Sequence, residues 1–291
     1  MAFGHTLTAK LVNFERKSAG LERKTAKLDG LEMVYYENNT TRDKPTLVLV
    51  HGYTADKTMW HRPAKLLAKD YHIIIPDMAG HGETRYNPKA DYRIPTQADW
   101  LAKLLKDLGV KKIHIVGSSM GGFIAATFAK TYPQQTLSLS LLDPAGITSP
   151  EPSDIQSVFE QTGRNMFLPQ TIDEFKEFMG LVMAKPPFTP KFILNAMAHN
   201  HISRCAPYTH IFDDFFDKDF LENDLGKIKA PTLLIWGRKD QILHVSAAAI
   251  WQDGLPNCQT IIWDDLGHVP SFEDTKRTIG AVREFLNSVA T

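Results

Sequence analysis

With 291 residues, 43% of them hydrophobic and 23% charged, the chain can build one large core with an inserted subdomain. Lys+Arg and Asp+Glu balance at 33 each, so the basic excess that nucleic-acid binding needs is missing and no nucleic-acid partner is expected. Cys205 and Cys258 lie far apart, which excludes a closely spaced cysteine metal cluster or a disulfide framework and suits a reducing compartment.

The first 24 residues, MAFGHTLTAKLVNFERKSAGLERK, hold no apolar run long enough for a signal peptide or a membrane span, so a cytoplasmic protein is expected. Leu7, Leu11, Val12 and Phe14 are spaced along one helix face, and Arg16, Lys17, Arg23 and Lys24 follow. Such a face could make a peripheral membrane contact. Docking on the protein's own surface is the expectation. Strands are predicted at 23–28, 31–37, 46–52, 71–78, 112–118, 137–143, 231–237 and 259–265. The first two read as an antiparallel start across Asp29-Gly30. The later strands carry apolar runs without alternation (VLV, IIIP, IHIV, LLIW), as parallel strands covered on both faces do. Amphipathic helices are expected at 58–69, 96–108, 120–132, 244–253 and 274–288. This alternation argues for a doubly wound α/β sheet with right-handed crossovers.

From 148 to 229 the rhythm breaks. This stretch has no convincing strand, many prolines, ten of the sixteen phenylalanines, and helical segments in DIQSVFEQTGRNMF, TIDEFKEFMGLVMA and TPKFILNAMAHNH. It reads as a helical cap (148–229) inserted into a core domain made of 1–147 and 230–291. So much Phe and Met must be buried, either against the main domain or around an apolar ligand between the two.

In IHIVGSSMGGF (113–123) a strand becomes a helix through Gly117-Ser-Ser119-Met-Gly121. A turn this tight strains its central residue and needs small neighbours two positions either side. Gly117 and Gly121 supply them. The Ser119 hydroxyl is thereby lifted above the sheet edge at a helix N-terminus, with Ser118 as a supporting residue, and the Met120 N–H points where negative charge can be stabilised. A phosphate cradle needs another spacing and a Gly-Lys-Ser/Thr, which is absent. A serine nucleophile needs a base, and the base an orienting acid, in the order Ser, Asp/Glu, His for this architecture. TLLIWGRKDQIL supplies Asp240 and IIWDDLGHVPSF supplies His268, each just after a late strand. Asp143, at the end of LSLLD, is the rival acid, with strand termination as its alternative role. Asp264 and Asp265 lie close to His268 in sequence, but adjacency along a strand end does not orient an imidazole. A second oxyanion donor is expected from the Tyr53 N–H after His51-Gly52. The neighbouring Thr54 could instead cap the following helix. His51, His81 and the loop Asp77–Thr84 read as local turn chemistry. His199 and His201, with His210 near, lack a third close ligand, so no metal is expected.

HGYTADKTMW, PDMAGHGET, GSSMGG, WGRKDQIL and LGHVP together resemble the α/β-hydrolase superfamily over almost the whole chain. Within it, LVMAKPPFTPK, KPTLVLVHG and DDLGHVP make the chain similar to bacterial lipase 1-type enzymes and animal monoacylglycerol lipases. The resemblance implies a mostly parallel eight-stranded sheet with helices on both faces. It also implies Ser119 as nucleophile, Asp240 as acid, His268 as base, the Tyr53 and Met120 amides as oxyanion donors, and an acylglycerol or similar ester as substrate, with no cofactor. The export signal and membrane segment of such relatives are not evident in this chain. Two other readings compete. A carbon–carbon bond hydrolase of ring-cleavage products carries Asn before the nucleophile and Trp after the base, where this chain has Ser118 and Val269. A non-catalytic binder need not keep all three triad groups. Oligomeric state and acyl-chain length stay open.

Overall fold

The computed structural model describes residues 2–38 and 43–289, with side chains from Leu7 onward. The chain opens with α1 (Ala2–Ser18), followed by β1 (Leu21–Leu28), β2 (Leu31–Asn38) and β3 (Thr46–Val50). A single 3₁₀ turn leads into α2 (His61–Leu67), then come β4 (His72–Pro76), α3 (Ile94–Asp107), β5 (Ile113–Ser118), α4 (Met120–Thr131) and β6 (Thr136–Leu142). Four helices follow with no strand between them: α5 (Asp154–Thr162), α6 (Ile172–Val182), α7 (Lys191–Ile202) and α8 (Cys205–Phe215). The chain then returns to the sheet with β7 (Thr232–Gly237), α9 (Ala247–Gly254), β8 (Cys258–Trp263), α10 (Pro270–Glu273) and α11 (Thr275–Ser288).

The strands form one eight-stranded sheet in the order β1-β2-β4-β3-β5-β6-β7-β8. β2 runs antiparallel to both its neighbours, and the pairs from β4 to β8 are parallel. The period-two alternation of a strand divides the core. Val48, Val50, Ile74, Ile115, Leu139, Leu141 and Leu234 face α3, α4 and α9. Leu47, Leu49, Ile73, Ile75, Leu233 and Ile235 face α2 and α11. Every residue of α4 from Met120 to Ala129 is buried, which makes it the central helix of its layer. Tyr208, Ile211, Phe212 and Phe215 of α8 join the first of these cores, so the strand-free segment is packed directly onto the main sheet layer.

Local chemistry shifts several predicted boundaries. DIQSVFEQTGRNMF is helical only to Thr162, because Gly163 takes φ +70° and closes the helix. The helix expected at 244–253 begins at Ala247, since the His244 Nδ1 and Ser246 Oγ pair at 2.9 Å and hold a turn. The turn entering α2 is capped by Asp56, which accepts from the Thr58 N–H at 2.8 Å; Thr54 does not cap it. At α1 the expected docking is only partial. Glu15 pairs with Arg62 at 3.0 Å and the helix touches α2 and α7, yet Leu7, Leu11 and Phe14 remain 40%, 44% and 69% exposed.

Candidate active site

Ser119 sits between β5 and α4 with φ +57°, a conformation that strains a residue carrying a Cβ. The surroundings enforce it. Its N–H donates to Leu142 O at 3.0 Å, and its own carbonyl accepts from Gly122, Phe123 and Ala145 N–H groups. The flanking glycines are obligatory in space. A Cβ on Gly117 would lie 2.2 Å from Gly121 O, and one on Gly121 would lie 2.4 Å from Val50 O. The elbow is therefore pressed against both its own helix and the end of β3.

The β3 end brings the second expected oxyanion donor alongside. A Cβ on Gly52 would be 3.1 Å from Ser119 Cβ, so the Gly52-Tyr53 backbone passes in contact with the serine. Met120 is the first residue of α4, and its N–H lies in the helical turn that lacks intrahelical acceptors. Two buried histidines brace this loop. His51 Nε2 accepts from the Met78 N–H at 3.0 Å, so Nδ1 is the donor to Gly52 O at 2.8 Å. Burial holds the His51 ring neutral by lowering its pKa. His81 Nδ1 bonds Ala79 O at 3.1 Å.

His268 Nδ1 lies 2.8 Å from Asp240 Oδ2, and both side chains are buried. The other Asp240 oxygen, Oδ1, accepts from the Ile242 and Leu243 N–H groups at 2.8 and 3.0 Å, so the carboxylate cannot rotate away. Asp240 follows β7 and His268 follows β8, at the same carboxyl edge of the parallel sheet from which Ser119 leaves β5. Asp264 pairs with Arg238, and Asp265 with Lys185 and Arg277. Neither makes a hydrogen bond to the imidazole among the described residues. Asp143 is fully buried and bonds the Gly237 N–H through Oδ1 at 2.8 Å.

Other residues that shape the site left no local mark in the sequence. Glu273 of α10 accepts from the Gly267 and Val269 N–H groups, at 3.0 and 3.2 Å, which clamps the turn bearing His268. The same carboxylate accepts from the Lys185 N–H at 2.9 Å, and the His268 N–H donates to Val182 O at 3.1 Å. The stretch after α6 is thus strapped onto the histidine turn. Lys57, almost wholly buried, pairs with Asp77 and with Glu83 and ties the loop after β3 to the Asp77–Thr84 loop. Above Tyr53 stands an aromatic wall. Its ring meets Phe167, Tyr208, Phe212 and Phe215 at centroid distances of 5.4, 5.7, 5.9 and 5.3 Å, and its hydroxyl donates to Tyr208 O at 2.7 Å. Two histidines of the strand-free segment have structural partners. His201 Nε2 bonds Phe167 O at 2.8 Å, and His210 lies between Tyr86 and Asp214.

A strained elbow and a buried Asp–His pair, both at the carboxyl edge of one doubly wound sheet, mark a class of hydrolases. The family model for the alpha/beta hydrolase fold matches residues 45–275, and the chain belongs to that family. It is 34% identical to Lipase 3 of Moraxella sp. strain TA144, over 96% of this chain and 89% of that protein. It is 29% identical to the human monoacylglycerol lipase ABHD6, over 94% of this chain and 85% of the relative. Among solved structures, a membrane phospholipase A described as a bacterial virulence factor superposes with a TM-score of 0.95 at 33% identity, covering 99% of this chain and 92% of that one. With this kinship the chain is an enzyme, a hydrolase of carboxylic esters.

Proposed function

We propose that the enzyme cleaves lipid acyl esters, monoacylglycerols among them, through a Ser119–His268–Asp240 triad and an acyl-enzyme. The 2.8 Å contact between His268 Nδ1 and Asp240 Oδ2 carries this reading. It fixes the tautomer in which Nε2 is free to take a proton. Ser119 Oγ attacks the ester carbonyl as Nε2 removes its proton. The Met120 and Tyr53 N–H groups receive the oxyanion, an interaction of about 3–4 kcal/mol per donor when the site is dry. The imidazolium, held by Asp240, protonates the departing alcohol. A water activated by the same nitrogen then releases the fatty acid. The aromatic wall beside Tyr53 supplies apolar surface for an acyl chain, which supports a lipid ester over a small polar one. The segment 148–229 acts in this reading as the cap that completes the pocket.

Ser119→Ala should abolish fluorophosphonate labelling and nearly all hydrolysis of a p-nitrophenyl ester series and of a 1-monoacylglycerol, with an unchanged circular dichroism spectrum. Turnover close to wild type in this variant would remove Ser119 from the mechanism. Labelling without turnover of any ester would favour carbon–carbon cleavage. A peripheral lipid contact belongs to the same reading. No helix among the described residues is long and apolar enough to cross a membrane. Leu7, Leu11 and Phe14 nevertheless form an open apolar stripe on α1. Phe14→Ser should reduce co-sedimentation with phospholipid vesicles and leave hydrolysis of a soluble ester unchanged. Equal sedimentation of both proteins would refute the contact.

A further inference from the structure

Asp143 is a strained, buried carboxyl that the mechanism above does not use. It ends β6 with φ +44°, a left-handed conformation uncommon for a non-glycine residue. Its N–H donates to Ile235 O at 2.9 Å, so the residue is tied by backbone to β7. Its side chain is 0% exposed. Oδ1 accepts from the Gly237 N–H at 2.8 Å. Oδ2 is buried and meets no donor among the described residues. Asp240 is anchored on the same residue, its N–H donating to Gly237 O at 3.1 Å, and its carboxylate is the charge that bears most on Asp143.

Two carboxyl groups anchored on the same residue and shut off from water repel when both are ionised, and the state with a proton on one of them is favoured. Asp240 accepts from the Ile242 and Leu243 N–H groups and pairs with His268, which favours its ionised form and leaves one acceptor site over. A buried acceptor without a donor is rare enough to need an explanation, and a proton on Oδ2 removes the anomaly by turning the orphan into a donor. We propose that Asp143 is a positioning residue of the triad, a neutral carboxylic acid whose Oδ2–H donates to the Asp240 carboxylate. Burial, with the Asp240 charge and the more distant Glu273 of α10 adding to it, pushes its proton affinity well above the ordinary carboxyl range. These two carboxylates, with His268 beyond Asp240, are the titratable groups facing it. The strain at Asp143 is offset by a bond that straps the acid loop to β6. That bond also draws some charge from Asp240, which moderates how strongly the imidazolium is held.

The proposal rests on Asp240 and His268 being the acid and base, a reading that Ser119→Ala tests separately. Its own test combines infrared spectroscopy with pH profiles. Wild type minus D143N should show one buried carboxylic C=O stretch at neutral pH, a readout independent of turnover. Asn at 143 keeps a neutral donor, so the acid limb of kcat/KM should stay in place. D143A removes the donor and leaves the Asp240 charge undiluted. The imidazolium is then favoured and the acid limb moves to higher pH, with a roughly tenfold loss of kcat/KM on that limb. Absence of the carboxylic band would overturn the proposal. So would an acid limb that moves to lower pH in D143N, because that shift means a negative charge has been removed. A folded D143A whose profile does not move would equally overturn the positioning role. If D143A fails to fold, the band and the D143N profile still decide.

Discussion

Ser119 is held at φ +57°, a conformation that costs about 1–3 kcal/mol and persists only where the surroundings over-determine it. Here the constraint comes from backbone and not from flexible side chains. A methyl on Gly121 would sit 2.4 and 2.5 Å from the Val50 and His51 carbonyl oxygens, which cannot move without displacing β3. Gly121→Ala should destabilise the protein by about 1–3 kcal/mol or more and depress activity, since the same displacement carries the Tyr53 amide away. Gly180, in α6, is the contrast. Nothing lies within 4 Å of its virtual Cβ, so Gly180→Ala should leave activity intact and stabilise by about 0.5–1 kcal/mol. Thermal unfolding of the two variants checks both. The glycine spacing around Ser119 was legible in the sequence because the steric rule is local. Asp143 was legible as a rival acid or as a strand terminator, and not as a companion of Asp240. That its carboxyl turns inward onto the Gly237 N–H depends on β6 and β7 being neighbours, which no local pattern states.

At the scale of elements, the alternation of apolar strands and amphipathic helices mapped closely onto the sheet, because the central strands are buried on both faces and helices such as α3 and α11 on one. The exceptions have local causes, such as Gly163 ending α5 or the His244–Ser246 contact delaying α9. The contacts between elements were not legible. Glu273 drew no notice in the sequence, yet it gathers the N–H groups of Gly267, Val269 and Lys185. Without it, the turn bearing His268 loses its clamp and the strap from α6 loses its anchor. Glu273→Ala should therefore lower kcat by about 10–100-fold with a smaller change in KM, since a displacement of the base near 1 Å is enough for such a loss. Steady-state kinetics on a soluble ester measures it, and an unchanged kcat would show that the turn is held by other contacts.

For the whole molecule, burial of neutral histidines couples the fold to acidity. Both ring nitrogens of His61 are buried without a hydrogen bond, and desolvation lowers its pKa to about 4; His81, deeper still, is lowered by burial to about 3. The unfolded chain takes up these protons near pH 6.5 and the folded chain does not. Stability should therefore fall as pH drops from about 6.5 toward 4 through His61, and on toward 3 through His81. Denaturant titrations across that range should show the fall, and His61→Phe should flatten its upper part. The sequence by itself determined the α/β class, the strand order in the chain, the elbow at Ser119 and the candidates Asp240 and His268. Each of these rests on periodicity or on a steric rule spanning a few residues. Only the tertiary structure decided that Asp240 and His268 meet at 2.8 Å, that Lys57 is buried on Asp77 and Glu83, and that α1 keeps an apolar stripe exposed. It also decided that Asp143 and Asp240 are both anchored on Gly237. These are contacts between residues far apart along the chain, fixed by the register of neighbouring strands and the packing of helices across the sheet, and short-range sequence patterns carry no record of them.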